Sequence, residues 1–470
     1  MPARHQRLQD ARGELAAALA AIRADLDLPE AFPADVEAAA ERAAAETPLP
    51  DADRTSIPFV TIDPEGSTDL DQALHIERDG DGFVVHYAIA DVPSFVEPGR
   101  PIDAEARRRG QTLYAPDTRI PLHPVAISEG AASLLPEQDR PALVWRFRLD
   151  ASGEVVETGL ERARVRSREQ LTYAQAQERA DAGDALMGLL REVGELRIAL
   201  EDARDGASLD LPEEQVVERP EGWRIERREL LPVERWNAQL SLMTGMAAAR
   251  IQLEAGVGIL RTMPTPPRGD VRRFRKEVAA IGEAWRDDEH YGAFLRRLDR
   301  AQPTTLAILT AARRLFRGAG YTIVTPDTKP GEVEQAAIGA PYAHATAPLR
   351  RLVDRYVLAI CEAVVNGREA PEWAVAGLEG LPEIMAESSR TAAQLERESI
   401  DAVEIAVLQH RVGEEFDAVV VERREQGATI LLLDPPAEAG ADASAEPGER
   451  IRVRLTEADL ASRRLRFAQA

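Results

Sequence analysis

Thr61-Ile62-Asp63-Pro64-Glu65-Gly66-Ser67-Thr68-Asp69-Leu70-Asp71-Gln72-Ala73 decides how this chain is read. It continues the apolar run Ile57-Pro58-Phe59-Val60, which predicts a buried strand that ends in a loop of turn formers. Three aspartates and one glutamate fall within the nine residues 63–71. Like charges packed ~4–6 Å apart repel strongly. Either a cation gathers these side chains or they point apart into water. Magnesium is the hard-cation candidate, since it takes oxygen ligands, usually a few carboxylates completed by water and phosphate. Two such ions ~3.5–4 Å apart could clamp the attacking water and the leaving oxygen of a phosphodiester. From spacing alone, a solvated acidic turn is the equal alternative. An EF-hand calcium loop is excluded, because its required glycine and terminal glutamate are missing.

Outward from this loop the texture is β-rich, then helical, then β-rich again. Residues 73–78 and 83–92 read as strands joined by Asp79-Gly80-Asp81-Gly82, a strong hairpin signal. Further strands are predicted around 142–150 and 154–165, with Asp150-Ala151-Ser152-Gly153 as their turn. In 229–255 an apolar stripe of Trp236, Leu240, Met243, Ala247 and Ile251 predicts a helix stopped by Gly256. Helices around 270–285 and 303–317, a strand at Tyr321–Val324, a helix from Pro348 to about Val365 and a long helix over 386–411 follow. Leu8, Leu15, Leu19, Ile22 and Leu26 recur at helical spacing in the first 50 residues, and a second short helix is predicted over 34–46. This segment reads as a helical cap, with a helix-turn-helix module as the alternative. The tail 414–470 alternates as about five short strands, which suits a small barrel such as an OB-fold. Residues 434–449, small, acidic and proline-containing, read as a flexible loop within it.

The expected fold class is therefore α/β (α+β), a mixed sheet flanked by helices. Its divisions are a helical segment 1–50, a main domain 51–405 and a barrel 406–470. The 470 residues are 44% hydrophobic, enough for a sizeable core. The lone cysteine, Cys361, excludes an internal disulfide and a cysteine-rich zinc site, and it reads as a core thiol. No run reaches the ~18 apolar residues of a membrane span, and the expected location is cytoplasmic. The formal charge of −23 argues against non-specific duplex binding. Any nucleic-acid contact needs a locally positive channel in an acidic shell.

The stretch TIDPEGSTDLDQAL, followed by HYAIADVPSFVEPG (86–99), resembles the opening motif of the RNB catalytic domain of the RNase II / RNase R superfamily of exoribonucleases. Residues 107–143, 164–177 and 341–356 (PYAHATAPLRRLVDRY) resemble the family's later blocks in the same order, so the likeness spans roughly 57–400. It implies 3′-to-5′ hydrolysis of single-stranded RNA to nucleoside 5′-monophosphates, with magnesium as cofactor and manganese as the substitute. It also implies a C-terminal OB-fold of ribosomal-protein type. A monomer is expected, with the 3′ end of RNA as its partner.

Residue by residue, the resemblance assigns Asp63, Asp69 and Asp71 as metal ligands, Asp71 being the one most needed for chemistry. The family's fourth acid is Gln72 here, which offers a carbonyl oxygen but no charge, and Glu65 or Asp91 are the candidates to compensate. Arg350 is assigned to the phosphate. Thr346 as cap and Pro348 in the first turn would add a helix N-terminus there; the plain alternative is a surface pair with Asp354. Arg351 and His344 are expected to support that site. Tyr114 matches a tyrosine that stacks on RNA, an interaction worth ~1–3 kcal/mol per base. A second stacking ring would fall near Asp210, where no aromatic stands. Glu234 and Glu396 match glutamates beside the RNA. The runs Arg272–Lys276 and Arg313–Arg317, and arginines of the tail such as Arg424 and Arg466, could follow a backbone. The family's two leading cold-shock folds have no counterpart in the residues before 57. The rivals are a catalytically silent RNA binder, motivated by Gln72, and a nuclease acting on DNA.

Overall fold

The computed structural model describes residues 2–207, 213–219, 222–228, 230–299 and 302–470. The side chain of Leu8, and Asp210 altogether, lie outside the described residues. Strands β1 (Phe59–Asp63), β2 (Gln72–Asp79) and β3 (Gly82–Ala90) follow the N-terminal helices. The hairpin β4 (Leu113–Ala115) and β5 (Thr118–Ile120) comes next, then β6 (Asp139–Leu149) and β7 (Val155–Thr172). The expected mixed sheet is present, and it closes on itself: β1-β2-β3-β6-β7 form a barrel in which β1 runs antiparallel to β2 and parallel to β7. Asp79 pairs with Gly82 across the β2–β3 turn, and Gly80 takes the positive φ of 57° that so tight a turn requires.

Side chains of these strands alternate between two cores, as the two-residue period of a strand dictates. Leu74, Tyr87, Trp145, Phe147 and Leu171 pack with the helices Ala185–Ala203, Pro232–Ala255 and Leu352–Val365. Ala73, Ala88, Ala90, Ala142 and Val144 pack instead with the helix Ala34–Glu46 and with Leu349. The predicted stripe Trp236, Leu240, Met243, Ala247 and Ile251 is buried, and Gly256 closes that helix in the left-handed region (φ 68°). Cys361 is fully buried, and burial pushes its thiol well above its ordinary range.

The short hairpin β8 (Glu213–Arg219) with β9 (Gly222–Arg228) and the two-stranded antiparallel sheet of β10 (Gly258–Thr262) with β11 (Gly320–Val324), strands separated in the chain by helices, complete this part. Helix Pro2–Asp25 buries Leu15, Leu19 and Ile22 against Leu113 and Ile120 of the β4–β5 hairpin and against Leu395, Ala402 and Val403 of the long helix Leu381–Leu408. The two N-terminal helices thus join separate cores.

Strands β12 (Glu415–Arg423), β13 (Ala428–Leu433), β14 (Pro436–Asp442), β15 (Arg450–Asp459) and β16 (Arg464–Gln469) form a second closed barrel. Residues 434–449 are not simply the flexible loop expected from composition, because β14 lies inside them. Ala437, Ala439 and Ala441 alternate into the barrel core while β14 pairs with β13 and β16. Small residues with a period of two supply a buried strand face that a composition reading cannot tell from a linker.

The helix expected from Pro348 begins instead at Leu352, and residues 348–350 form a turn. Thr346 therefore does not cap that helix, whose N-cap position is Arg351.

Candidate active site

β1 ends at Asp63 and β2 starts at Gln72, so residues 64–71 cross one end of the first barrel. The sharp turn after the strand, with Gly66 at φ 79°, lets the chain double back so that its aspartates return to the strand end they left.

Asp71 is 5% exposed and accepts the backbone N–H of Leu349 at 2.8 Å. The Arg350 guanidinium lies 3.6 Å from its other oxygen and is itself about half exposed (47%). Burial raises the Asp71 carboxyl well above its usual range; Arg350 and the Leu349 N–H pull against that shift, and the charges of Asp354 and Asp69 add to it. Asp63 Oδ2 is buried with no hydrogen-bond partner. Burial pushes this carboxyl up to about 6, with the Thr61 hydroxyl and then Arg350 opposing and Asp69 reinforcing. Asp69 is held by Arg119 at 3.0 Å, and Arg119 also reaches Glu129 at 2.5 Å and the Thr68 hydroxyl at 2.7 Å.

The carboxylates therefore form a partly buried anionic patch, with Asp71 the most enclosed. Among the described residues no three Asp, Glu, His or Cys side chains already converge as a metal cage. An orphaned carboxylate oxygen beside two more aspartates still fits a hard divalent cation. Magnesium is commonly held by one or two carboxylates, with water and phosphate completing its shell.

Gln72 departs from its expected role as a ligand. Its amide oxygen receives the Tyr87 hydroxyl at 2.5 Å and the Ser241 hydroxyl at 3.3 Å, while its amide nitrogen donates to the Thr346 carbonyl at 2.6 Å. Asp91 does not compensate: it is fully buried and bound to Arg162 at 2.6 Å and Ser94 at 2.5 Å. Glu65 is exposed.

Asp354, the alternative partner weighed for Arg350, pairs with Arg351 instead. Arg351 grips the fully buried Asp354 with two bonds of 2.8 Å, and Asp354 also accepts the N–H of Ala347 at 2.7 Å. His344 is half-buried, its Nδ1 2.7 Å from the Tyr321 hydroxyl. The Arg351 side chain is thus engaged with Asp354.

These contacts lie inside a longer match. The profile of the RNB domain covers residues 52–367, two thirds of the chain. The chain belongs to the RNB family. A second profile, the RNase II-type exonuclease C-terminal S1 domain, covers 414–470, the five-stranded second barrel. The Arabidopsis thaliana exosome complex exonuclease RRP44 homolog A is 30% identical over 316 residues, 63% of this chain and 33% of that protein. Ribonuclease R of Escherichia coli is 27% identical over 346 residues, 69% of this chain and 42% of the relative. The chain thus spans half or less of the length of these relatives. Among solved structures, apo Mycoplasma genitalium RNase R superposes with a TM-score of 0.87 over 97% of this chain and 78% of that one, at 18% identity. Yeast Ssd1, described as a pseudonuclease, superposes at 0.68 over 86% of this chain and 50% of that one, at 19% identity. At such identities the superpositions establish the fold alone.

Tyr114 sits on β4 directly across from Arg119 on β5, so the residue expected to stack shares a hairpin with the cation that holds Asp69. Its ring is half exposed (51%), and its hydroxyl is raised to about 12 by burial, with Asp69 and Asp71 adding to the shift. A flat ring open to solvent at the edge of the RNB carboxylate loop is a surface on which a base could stack. Glu234 is occupied at the start of its helix, accepting the Leu231 N–H at 2.9 Å and Arg228 at 2.9 Å. Glu396 is exposed and lines a cavity of about 560 Å³ between the long helix and the second barrel, with Arg397 and Arg424. None of the three aspartates lines it. The two basic helical runs meet at another cavity, lined by Arg273, Arg313, Arg314 and Arg317. Arg275 is spent elsewhere, stacked 4.0 Å over Trp285.

Arg119, Glu129 and Tyr173 were given no role from sequence. Burial raises the Tyr173 hydroxyl to about 12, and the charge of Asp63 contributes to the shift. A period-two strand pattern could have paired Tyr114 with Arg119, but nothing local points Arg119 at Asp69, fifty residues away.

The raised Asp63 carboxyl has a consequence for stability. The unfolded chain releases this proton near 3.8 and the folded chain near 6. Between those values the folded state holds the extra proton, so metal-free stability falls as pH rises from about 4 to about 6 and stays low above that. The penalty is on the order of 3 kcal/mol. In chelator at pH 8, Asp63→Asn is expected to melt at a higher temperature than the wild type, and the gap should close at pH 4. A lower melting temperature for the variant at pH 8 would count against a strained, uncompensated carboxylate.

Proposed function

We propose that this chain is a metal-dependent hydrolase that removes nucleoside 5′-monophosphates from the 3′ end of single-stranded RNA. One observation carries the reading: a buried aspartate, Asp71, is held by a backbone N–H beside a half-exposed arginine, next to a buried carboxylate oxygen with no partner. Membership of the RNB family supports the reaction class. The neighbouring Mycoplasma genitalium RNase R has been solved with ribose-methylated single-stranded RNA and with double-stranded RNA, which supports RNA as the substrate. Direction and products rest on the family resemblance. The domain reading accompanies this: 1–50 as a cap, 51–405 as the catalytic unit and 406–470 as an RNA-binding barrel.

In this reading Asp63 and Asp71, with Asp69, hold the cation, magnesium or in its place manganese. Bound there, such an ion lowers the pKa of water at neutral pH and offsets charge on the leaving 3′ oxygen. The supply of free carboxylate oxygen suits one tightly held ion, a second needing substrate phosphate for much of its shell. Arg350 has little else to bind, so its planar fork is available to phosphate oxygens, where it neutralises charge that grows in the transition state. Leu349 N–H keeps Asp71 pointed into the site. Arg119 keeps Asp69 from swinging into solvent, and Glu129 offsets the positive charge this brings. Tyr114 stacks on a base near the 3′ end.

The test is a ladder. Single-stranded RNA labelled at its 5′ end should shorten stepwise with magnesium, while a matched DNA oligomer persists. The second reading, an RNA binder without turnover, is favoured by Gln72 in place of an acid and by the fold shared with the pseudonuclease Ssd1. Retained RNA binding with no shortening would establish it instead.

A further inference from the structure

The side-chain amide of Gln72 connects four separate segments. Gln72 opens β2, Tyr87 lies on β3, Ser241 on the helix Pro232–Ala255, and Thr346 at the start of the turn that precedes Leu352. The Tyr87 and Ser241 hydroxyls lie 2.8 Å apart, both within reach of the Gln72 amide oxygen, and the Gln72 amide nitrogen donates to the Thr346 carbonyl. A carbonyl can only accept, which fixes the amide nitrogen toward Thr346 and the amide oxygen toward the hydroxyls. Tyr87 and Thr346 are buried, so each bond made here replaces a costly unpaired group.

The turn so anchored is the one that serves Asp71. Its later residues give Asp71 the Leu349 N–H and present Arg350, while the Arg350 carbonyl accepts from Thr112 N–H at 2.9 Å. Asp354 secures the Ala347 N–H. Gln72 secures the carbonyl one residue earlier, and it directly follows Asp71 in the chain. The side chains of two consecutive residues therefore grip the same turn.

We propose that Gln72 is a positioning residue whose amide locks the 346–351 turn against β2, setting Leu349 N–H and Arg350 on Asp71, rather than a metal ligand or a degraded acidic position. This deepens the proposed function and rests on it. An acid at position 72 would set an oxygen acceptor against the Thr346 carbonyl and break the run of bonds. The site is thus built around the amide, and restoring an acid should harm it.

The experiment compares the full-length wild type with Gln72→Glu by two readouts: RNA turnover, and Mn2+ binding to the protein alone by titration. The lock predicts that Gln72→Glu lowers kcat by about 10- to 100-fold, the scale of a small misplacement of reacting groups. It also predicts that KM for RNA changes by much less than kcat and that Mn2+ binding is unchanged or weaker. A rise in kcat, or Mn2+ binding tightened about tenfold, would show position 72 to be a vacant ligand and overturn the lock. Should the glutamate variant fail to fold, Gln72→Met keeps length and volume without charge and should show the same loss of kcat. Wild-type turnover in Gln72→Met would also overturn the proposal. A wild-type chain that cleaves no RNA defeats the functional reading instead, and the Mn2+ titration then still decides between ligand and lock.

Discussion

Asp71→Asn is expected to lower RNA turnover by at least about 10³-fold, the scale on which removing one preorganised charge from an active site is felt, while leaving RNA affinity in chelator within a few fold. The substitution keeps shape. Asparagine Oδ1 can still accept the Leu349 N–H, so the turn that carries Arg350 should stay in place. What it removes is the negative charge, which the folded chain holds at a cost because burial disfavours it. The variant should therefore be at least as stable as the wild type without metal and lose the stabilisation that magnesium gives. Single-turnover cleavage together with a binding titration in chelator reads both quantities. Near-normal turnover would remove Asp71 from the chemistry, and a parallel collapse of RNA binding would make it a structural residue.

Arg350→Ala is expected to cost about 10²- to 10³-fold in kcat, the effect of deleting one preorganised donor to a developing charge. Its contact with Asp71, at 3.6 Å, is too long for a hydrogen bond, and its side chain is half exposed. Little folding energy is therefore at stake, and the loss should appear in the rate rather than in the melting temperature. Arg350→Lys should recover only part of it, since a point charge does not reproduce a planar fork on phosphate. The contrast with Arg351 is informative. Arg351→Ala removes the partner of a fully buried Asp354 and should lower the melting temperature first. If Arg350→Ala behaved like that, with a fall in stability and unchanged turnover per folded molecule, the phosphate role would be lost.

The alternation of strand residues, the stripe on 232–255 and the spacing of acids after β1 all depend on neighbours in the chain, and all were legible in the sequence. The turn at 346–351 was not. Thr346-Ala347-Pro348 has the chemistry of a helix start, but Gln72 and Asp71, 274 and 278 residues away, take a carbonyl and an N–H of this segment. Asp354 takes another N–H, and the helix begins only where those bonds end. Long-range hydrogen bonds overrode a local preference worth about 1 kcal/mol. The same limit hid Arg119 and Glu129. β14 was missed for a different reason: its inward residues are alanines, which carry too little hydrophobic contrast to mark a strand face. At position 72 the absence of charge was plain from the sequence, but its use as a bridge needed the partners Tyr87, Ser241 and Thr346 in place.

Release of nucleoside 5′-monophosphate from 3′-labelled single-stranded RNA, by protein stripped with chelator and then resupplied with magnesium, tests the account at its centre. A cation gathered by Asp63, Asp69 and Asp71 predicts no release without metal and recovery of release when magnesium returns, in the wild type and not in Asp71→Asn. Equal release with and without chelator would contradict it.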